Sequence, residues 1–144
     1  MKSLLLLALA VILGSCAMQK KTNAPDPKII SYQSSSCFGS CAEQQLTINK
    51  KRNMNYVGIK NVDNVGNFNA TLSEEDYDKL LLMIKVTQFS QMDSAYFSSL
   101  KDIQKITISS ENKSVSFHER NATKELKVLA AELNRIISKS IWTE

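Results

Sequence analysis

The sequence predicts an α+β fold of one two-layer domain, in which an antiparallel sheet of about five to six strands is covered on one face by two helices. Several short segments alternate apolar and polar residues, which is the period of a strand with one buried face. Two longer segments repeat apolar residues every three to four positions, as amphipathic helices do. Polar turns separate neighbouring strand segments, and hairpins of this kind favour an antiparallel sheet with one solvated face.

Four strand candidates precede the first helix. The middle two place Leu46 with Ile48, and Met54 with Tyr56, on one face, and a loop without apolar residues joins them. The first three strand segments are residues 28–32, 45–49 and 54–60, and residues 50–53 form the loop between the last two. The fourth segment is marked by the alternating Phe68, Ala70 and Leu72.

The first helix is predicted to begin after Ser73, whose hydroxyl caps it. Acidic residues fill the first turn, where the helix dipole favours them. These are Glu74, Glu75 and Asp76. The apolar stripe of the helix consists of Tyr77, Leu80, Leu81 and Ile84, and a less regular segment continues the core through Phe89, Met92 and Tyr96.

A β-hairpin and a second helix complete the order β-β-β-β-α-β-β-α. One arm carries Ile106 and Ile108, the other carries Val115 and Phe117, and residues 111–113 turn between them. The last helix begins near Asn121 or Thr123, and one stripe of it is apolar: Leu126, Leu129, Ala130, Leu133, Ile136 and Ile137. The domain therefore extends over residues 28–144, with no internal repeat.

The first fifteen residues have the pattern of a signal peptide. Lys2 precedes an unbroken apolar run of ten residues, from Leu4 to Leu13, which is half of the roughly 20 residues that a membrane-spanning helix needs. The run ends in Leu13-Gly14-Ser15-Cys16, which resembles a lipobox. Small residues before the cleavage point fit a protease cleft, and only a cysteine thiol forms the thioether to diacylglycerol. We therefore expect removal of residues 1–15 and lipidation of Cys16; the alternative is an ordinary secretory leader with a chance cysteine.

Residues 16–27 are expected to be the lipidated cysteine and a flexible tether. The segment is polar, contains Pro25 and Pro27, and has no apolar periodicity. By resemblance to known sorting rules, the absence of an acidic residue at Ala17 and Met18 favours the outer membrane over retention at the inner membrane. The expected location is therefore the cell envelope, on an outer-membrane lipid anchor, with the domain facing the periplasm.

Cys37 and Cys41 remain as a pair once Cys16 carries lipid. Thiols oxidise outside the cytoplasm, so a structural disulfide is the leading interpretation. A redox-active pair is disfavoured because the spacing is not C-x-x-C, and a metal site is disfavoured because a tetrahedral zinc site needs more soft ligands than the pair and one histidine supply. Two reduced thiols are the remaining alternative.

The stretch Cys37-Phe38-Gly39-Ser40-Cys41, followed by Leu46-Thr47-Ile48, resembles the C-F-G-x-C-P-x-Y-x-l-x-I signature of an uncharacterised domain family. That family occurs in small exported bacterial proteins, many of them lipoproteins. The similarity extends over roughly residues 29–137 and passes through Gly58. Ala42 replaces the proline of the signature and Gln44 its tyrosine. The resemblance implies a fold and a location, and it implies no activity.

No catalytic set emerges from the sequence, so the protein is not expected to be an enzyme or to hold a cofactor or metal. His118, the only histidine, should point outward from the second hairpin arm, since Phe117 points inward. A general base would need a nucleophile and an orienting acid in reach. Asp93-Ser94-Ala95 resembles an O-glycan acceptor tripeptide of some Gram-negative envelopes, which makes Ser94 a candidate for glycosylation.

The charge of the chain is weakly basic and dispersed. Removing the leader with Lys2 leaves 17 basic and 14 acidic residues, a net charge of +3. Nucleic-acid binding requires a focused basic face, so it is not expected. The leading hypothesis is a non-catalytic binding or assembly module, held to the membrane by its lipid, whose partner is an unknown envelope protein or glycan. The alternative is a periplasmic redox or metal-handling protein that uses Cys37 and Cys41.

Overall fold

A computed structural model of the chain describes residues 28–144; the predicted signal peptide, Cys16 and the tether lie outside the described residues. Within that range, seven strands and two α-helices form one α+β domain, which confirms the predicted class. The strands are β1 Lys28–Ser34, β2 Glu43–Asn49, β3 Asn53–Lys60, β4 Gly66–Thr71, β5 Ala95–Tyr96, β6 Lys105–Ser110 and β7 Lys113–His118. The helices are α1 Glu74–Val86 and α2 Lys124–Lys139. In residues 28–144, no helix has the length and apolarity to cross a bilayer.

The sheet differs from the expectation of five to six antiparallel strands. Its order is β4-β3-β2-β1-β6-β7-β5, so the first strand lies in the middle. All pairs are antiparallel except β5 with β7, which makes the sheet mixed. Only Ala95 and Tyr96 form β5, and a two-residue strand leaves no periodicity to detect. The expected order therefore lacked this edge strand.

The core lies between one face of the sheet and the two helices. Tyr32, Leu46, Tyr56, Ile108 and Phe117 are buried on the sheet side. The helices contribute Leu80, Leu126, Leu129, Leu133 and Ile136, all of which are buried. The opposite face of the sheet is polar and solvated, as the alternation of the strands requires.

Both helices begin where the sequence predicts. The Ser73 hydroxyl accepts a 3.1 Å hydrogen bond from the backbone N–H of Asp76, and the Thr123 hydroxyl accepts one of 3.3 Å from Leu126. Leu81 was expected to face the core, but its side chain is 36% exposed. On α1 the core-facing arc is centred on Leu80, and one residue onward is a rotation of about 100°, which carries Leu81 to the rim.

Four charged side chains join the two helices. Arg135 on α2 hydrogen-bonds Asp76 on α1 and also donates to Glu132 at 2.7 Å, while Lys79 Nζ lies 3.0 Å from Glu132. Hydrogen bonds from Arg135, and then from Lys79, hold the pKa of the buried Glu132 below its ordinary value. Asp76, expected only to favour the helix start, thus also links α1 to α2.

The C-terminal residues pack back onto the sheet. The Trp142 ring stacks on Tyr56 with centroids 5.0 Å apart, and its indole N–H donates 3.0 Å to the Ile137 carbonyl. Thr143 pairs with Asn69 through two backbone hydrogen bonds of 2.7 and 3.0 Å. The last residues therefore close one side of the core beside β3 and β4.

The sheet has two ends with different surroundings. At the proximal end the described chain begins at Lys28, and the β2–β3 and β6–β7 turns lie there because Lys28 pairs with Asn49 and Ile30 with Ser110. At the distal end β1 finishes at Ser34, and β2 begins nearby at Glu43. The cysteine loop, residues 35–42, connects these two strands at the distal end.

Candidate functional site

A disulfide joins Cys37 to Cys41 in the distal loop, with Cα atoms 5.6 Å apart. Gly39 has φ +146°, which a residue with a side chain rarely adopts, so it lets the chain reverse inside a ring of five residues. The Phe38 N–H donates 3.3 Å to the Asp102 carbonyl, which ties the ring to the segment before β6. The ring is therefore closed covalently and fastened at its base.

Phe38 lies in this ring, next to Cys37. Its side chain is 93% exposed, the highest value among the large apolar residues of the described chain. An isolated exposed apolar residue is common, but one held on a closed, hydrogen-bonded ring has already lost most of its backbone freedom. Phe38 therefore exposes its side chain to solvent from a backbone whose conformation the ring restricts.

A groove of about 260 Å³ opens next to the ring, between the distal ends of the strands and α2. Its lining includes four uncharged polar side chains, those of Ser34, Gln44, Gln104 and Asn134. The Ala42 carbonyl accepts hydrogen bonds from Ser34 Oγ at 2.7 Å and Gln104 Nε2 at 2.8 Å. The groove thus has fixed walls before any ligand binds.

Gln44 crosses this region as a bridge from sheet to helix. It is 7% exposed, accepts a 3.1 Å hydrogen bond from the Tyr56 hydroxyl and donates 3.0 Å to Asn134 on α2. On its far side lies a second cleft of about 260 Å³, lined in part by Asn61, Val62 and Asp63. Burial, followed by the nearby negative charge of Asp63, raises the pKa of Tyr56, so its hydroxyl remains a donor.

A third cleft, of about 390 Å³, places the disulfide beside the groove. It includes Cys37 and Cys41 and shares Gln104 and Glu119 with the groove. Across these two clefts the charged lining residues balance, two acidic and two basic: Asp102, Glu119, Arg120 and Lys127. A site with no excess charge and many amide and hydroxyl groups suits a neutral polar ligand.

His118 is less exposed than predicted. It points outward from β7, but Phe97 covers its ring at a centroid distance of 4.9 Å. Its Nδ1 accepts a 3.3 Å hydrogen bond from the backbone N–H of Ser98 and lies 3.2 Å from the Ser98 hydroxyl. Within residues 28–144 no carboxylate hydrogen-bonds the other ring nitrogen. A ring nitrogen that accepts a backbone N–H fastens the edge segment after β5, which is a structural role.

Ser94, the predicted glycosylation site, lies apart from the groove. Ser94 is exposed at the β5 edge, where its hydroxyl accepts a 3.2 Å hydrogen bond from Lys113 Nζ, and its modification stays a prediction. Cys16 lies outside the described residues. Among residues 28–144, no group of three or more His, Cys, Asp or Glu side chains is placed to hold a metal ion.

The groove residues were absent from the sequence-based prediction, although one of them could have been found. Gln44 lies two positions before Leu46 and four before Ile48, so the strand period places it on the core face. A polar residue in a core-facing position usually has a hydrogen-bond partner, and this indicates a buried network. Asn134 and Gln104 carry no such pattern, because they approach from distant parts of the chain.

A family model described as a domain of unknown function, DUF6438, matches residues 28–137. The match covers 110 of the 144 residues, including all seven described strands and all but the last two residues of α2. It confirms the expectation of an uncharacterised domain family over this stretch. No curated protein matches the chain.

Proposed function

The chain belongs to the DUF6438 family, and we propose that it is a non-catalytic binding module of the bacterial cell envelope. In this proposal, lipid on Cys16 anchors the protein to the outer membrane, and residues 17–27 tether the domain on the periplasmic side. The distal end of the sheet, made of the cysteine ring and the adjoining groove, contacts an envelope protein or glycan.

The 93% exposure of Phe38 on a closed ring is the observation that carries the proposal. Burial of a phenylalanine side chain against a partner stabilises a complex by about 1.5–3 kcal/mol. A ring that is already closed loses little further conformational entropy when it docks, so more of that free energy appears as affinity. An apolar anchor of this kind favours a protein partner over a glycan.

The groove beside the ring supplies specificity in this proposal. Its amide and hydroxyl groups are held by hydrogen bonds to the Ala42 carbonyl and to Asn134, so their directions are set in advance. A ligand that matches those directions gains hydrogen bonds, and one that does not leaves polar groups unpaired. Such a pairing of one apolar anchor with a rigid polar surface is typical of recognition sites.

The redox alternative has one observation in its favour, since Cys37 and Cys41 both line an open cleft that includes Arg120. The reduction potential separates the two functions. A value below about −300 mV is that of a structural disulfide. A value near those of periplasmic oxidants would instead support the redox alternative and contradict the binding proposal.

Crosslinking in intact cells tests the binding proposal. A photoreactive amino acid at position 38 should capture a partner, and the same group at Ile141, which is 88% exposed but lies beyond α2, should not. When unmodified protein is added as a competitor, the amount of captured partner should fall. The Phe38→Ala variant, added in the same way, should lower that amount at least fivefold less effectively. Equal competition by Phe38→Ala, or equal capture from position 141, would contradict the proposal. Recovery of glycan alone would replace the protein partner with a glycan.

The anchor is tested separately. The Cys16→Ala variant should lose the mass of the lipid and leave the membrane fraction, while its domain stays folded. If a cleaved Cys16→Ala protein remains membrane-bound, the lipid-anchor part of the proposal is wrong.

A further inference from the structure

A further cleft, larger than the three at the distal end, lies at the proximal end of the sheet, remote from the cysteine ring. It measures about 500 Å³ and lies between α1 and the β6–β7 turn. Ile29, Leu81, Ile84 and Phe89 form its apolar wall, and Ser110, Glu111, Asn112 and Lys113 form the opposite rim. The groove at the distal end is polar, whereas this cleft is mainly apolar.

The outer face of α1 beside this cleft is also apolar. Leu82 and Val86, one helical turn apart, are 59% and 67% exposed, and Leu81 forms the rim between them and the cleft. A helix that covers a core normally presents polar residues to solvent. Here the second half of α1 presents large apolar side chains on both sides.

Charged residues of both signs lie around this apolar surface. Lys85 and Lys113 border the cleft, and Lys50 and Arg52 belong to the β2–β3 turn at the same end of the sheet. Four acids lie on or beside this surface: Glu111 borders the cleft, Glu74 is 3.7 Å from Arg52, and the exposed Glu75 and Asp78 precede Leu82 on the same stripe of α1. The charges of the two signs nearly balance, so the exposed apolar side chains of α1 are what matches the head-group boundary of a bilayer.

The described chain begins at this end, since Ile29, which lines the cleft, follows Lys28. Eleven residues separate Cys16 from Lys28. That segment is polar, with Met18 as its only large apolar residue, so it is poorly suited to fill an apolar cleft. A lipid surface next to the anchor matches the cleft better.

We propose that the proximal end docks on the bilayer, with Leu81, Leu82 and Val86 at the head-group boundary and with Lys85 and Lys113 facing lipid phosphates. The inference rests on the proposed lipid anchor. A short tether keeps this surface near the membrane, so weak affinity for lipid is sufficient to orient the domain. Since β1 runs about 20 Å from the proximal to the distal end, docking would present Phe38 away from the bilayer.

Paramagnetic relaxation measurements on nanodiscs test the orientation. The chain from Cys16 onward is joined through its Cys16 thiol to a maleimide lipid, in a disc of phosphatidylethanolamine and phosphatidylglycerol that contains a nitroxide head-group lipid. This coupling does not depend on natural lipidation. Relaxation enhancement should be at least fivefold larger at the amides of Leu82, Val86 and Asn112 than at that of Phe38.

The tether alone would bring the proximal end somewhat closer to the disc, so variants separate docking from tethering. Leu82→Asp combined with Val86→Asp should remove most of the contrast between the two ends. Val128 is 50% exposed on the outer face of α2, and Val128→Asp should leave the contrast between the two ends unchanged. If the double variant keeps the full contrast, or the wild-type contrast is absent, the docking inference is wrong. Lipid on Cys16 in cells is measured by mass, so failure of the anchor is distinguishable from failure of docking.

Discussion

Tyr56 on β3 donates its buried hydroxyl to the side-chain carbonyl of Gln44 on β2, at 3.1 Å, and through Gln44 it is linked to Asn134 on α2. The Tyr56 ring also packs against the ring of Trp142, which stacks on it. One buried tyrosine therefore connects the sheet, the last helix and the C-terminal segment at the wall of the candidate groove.

Replacing Gln44 by leucine should destabilise the fold through the hydrogen bonds that it breaks. The Tyr56 hydroxyl would stay buried without its acceptor, which costs about 1–3 kcal/mol. The Tyr56→Phe change removes the same hydroxyl, so Gln44→Leu combined with Tyr56→Phe should be less destabilised than the sum of the single variants. Urea unfolding of the three variants measures this coupling. Strict additivity would show that the hydrogen bond contributes nothing.

Removing the indole of Trp142 should remove the packing contact on the Tyr56 ring and destabilise the fold. The ring is only partly buried, so Trp142→Ala should cost less than the roughly 3–5 kcal/mol of a fully buried aromatic residue, about 2 kcal/mol. Ile141, the preceding residue, is 88% exposed. The Ile141→Ala variant is the matched control and should change the free energy of unfolding by less than about 0.5 kcal/mol. Equal melting temperatures for the two variants would contradict the packing role of Trp142.

Gly58 is required by a close backbone contact at the distal end. A Cβ atom at this position would lie 1.8 Å from the Asn64 carbonyl oxygen and 2.9 Å from the Tyr56 hydroxyl. Backbone atoms cannot yield as a flexible side chain does, so Gly58→Ala should cost about 3 kcal/mol or more. Ile59, the next residue of β3, is 43% exposed, so Ile59→Ala should change the free energy of unfolding very little. A stable Gly58→Ala protein would mean that the 61–64 turn moves freely.

The strand and helix segments were predictable because burial of one face leaves a period in the sequence. Leu46 with Ile48, and the α2 stripe from Leu126 to Ile136, show this period and are buried. The position of β1 in the middle of the sheet was not predictable, since alternation reports which face of a strand is buried and not which strands are its neighbours.

The candidate site was predictable only where its members are close in sequence. Cys37 and Cys41 are four residues apart, and the sequence pairs them because Cys16 is expected to carry lipid and because thiols oxidise outside the cytoplasm. Gln44 and Asn134 are 90 positions apart, so their hydrogen bond follows from the packing of α2 across the sheet. No sequence pattern local to either residue encodes that contact.

Loss of the disulfide should weaken both stability and binding. Replacing Cys37 and Cys41 together by serine removes a constraint on a five-residue ring, which on the loop-entropy model contributes about 2 kcal/mol. Phe38 would then lose its fixed presentation, so capture of a partner should fall even under conditions where the domain is fully folded. Ser40→Ala, inside the same ring, is the control and should change neither quantity. Undiminished capture by the double serine variant would show that ring closure is irrelevant to binding.

Acid should weaken the contact between the two helices through Glu132. Hydrogen bonds from Arg135 and Lys79 lower the pKa of this carboxyl below its ordinary value of 4.5. A group whose pKa is lower in the folded protein stabilises it at a pH above the unfolded value, and this stabilisation is lost as the pH falls through the folded pKa.

At pH 7, Glu132→Gln should therefore cost about 1.5–3 kcal/mol, the range for hydrogen bonds to a charged group. The gap between wild type and variant should shrink progressively below pH 4.5, because the wild-type carboxyl then becomes neutral as well. Urea midpoints at pH 7 and pH 3 measure both quantities, with Glu75→Gln, an exposed carboxyl on α1, as the control for general charge effects. A gap of the same size at both pH values would show that Glu132 acts through packing and not through its charge.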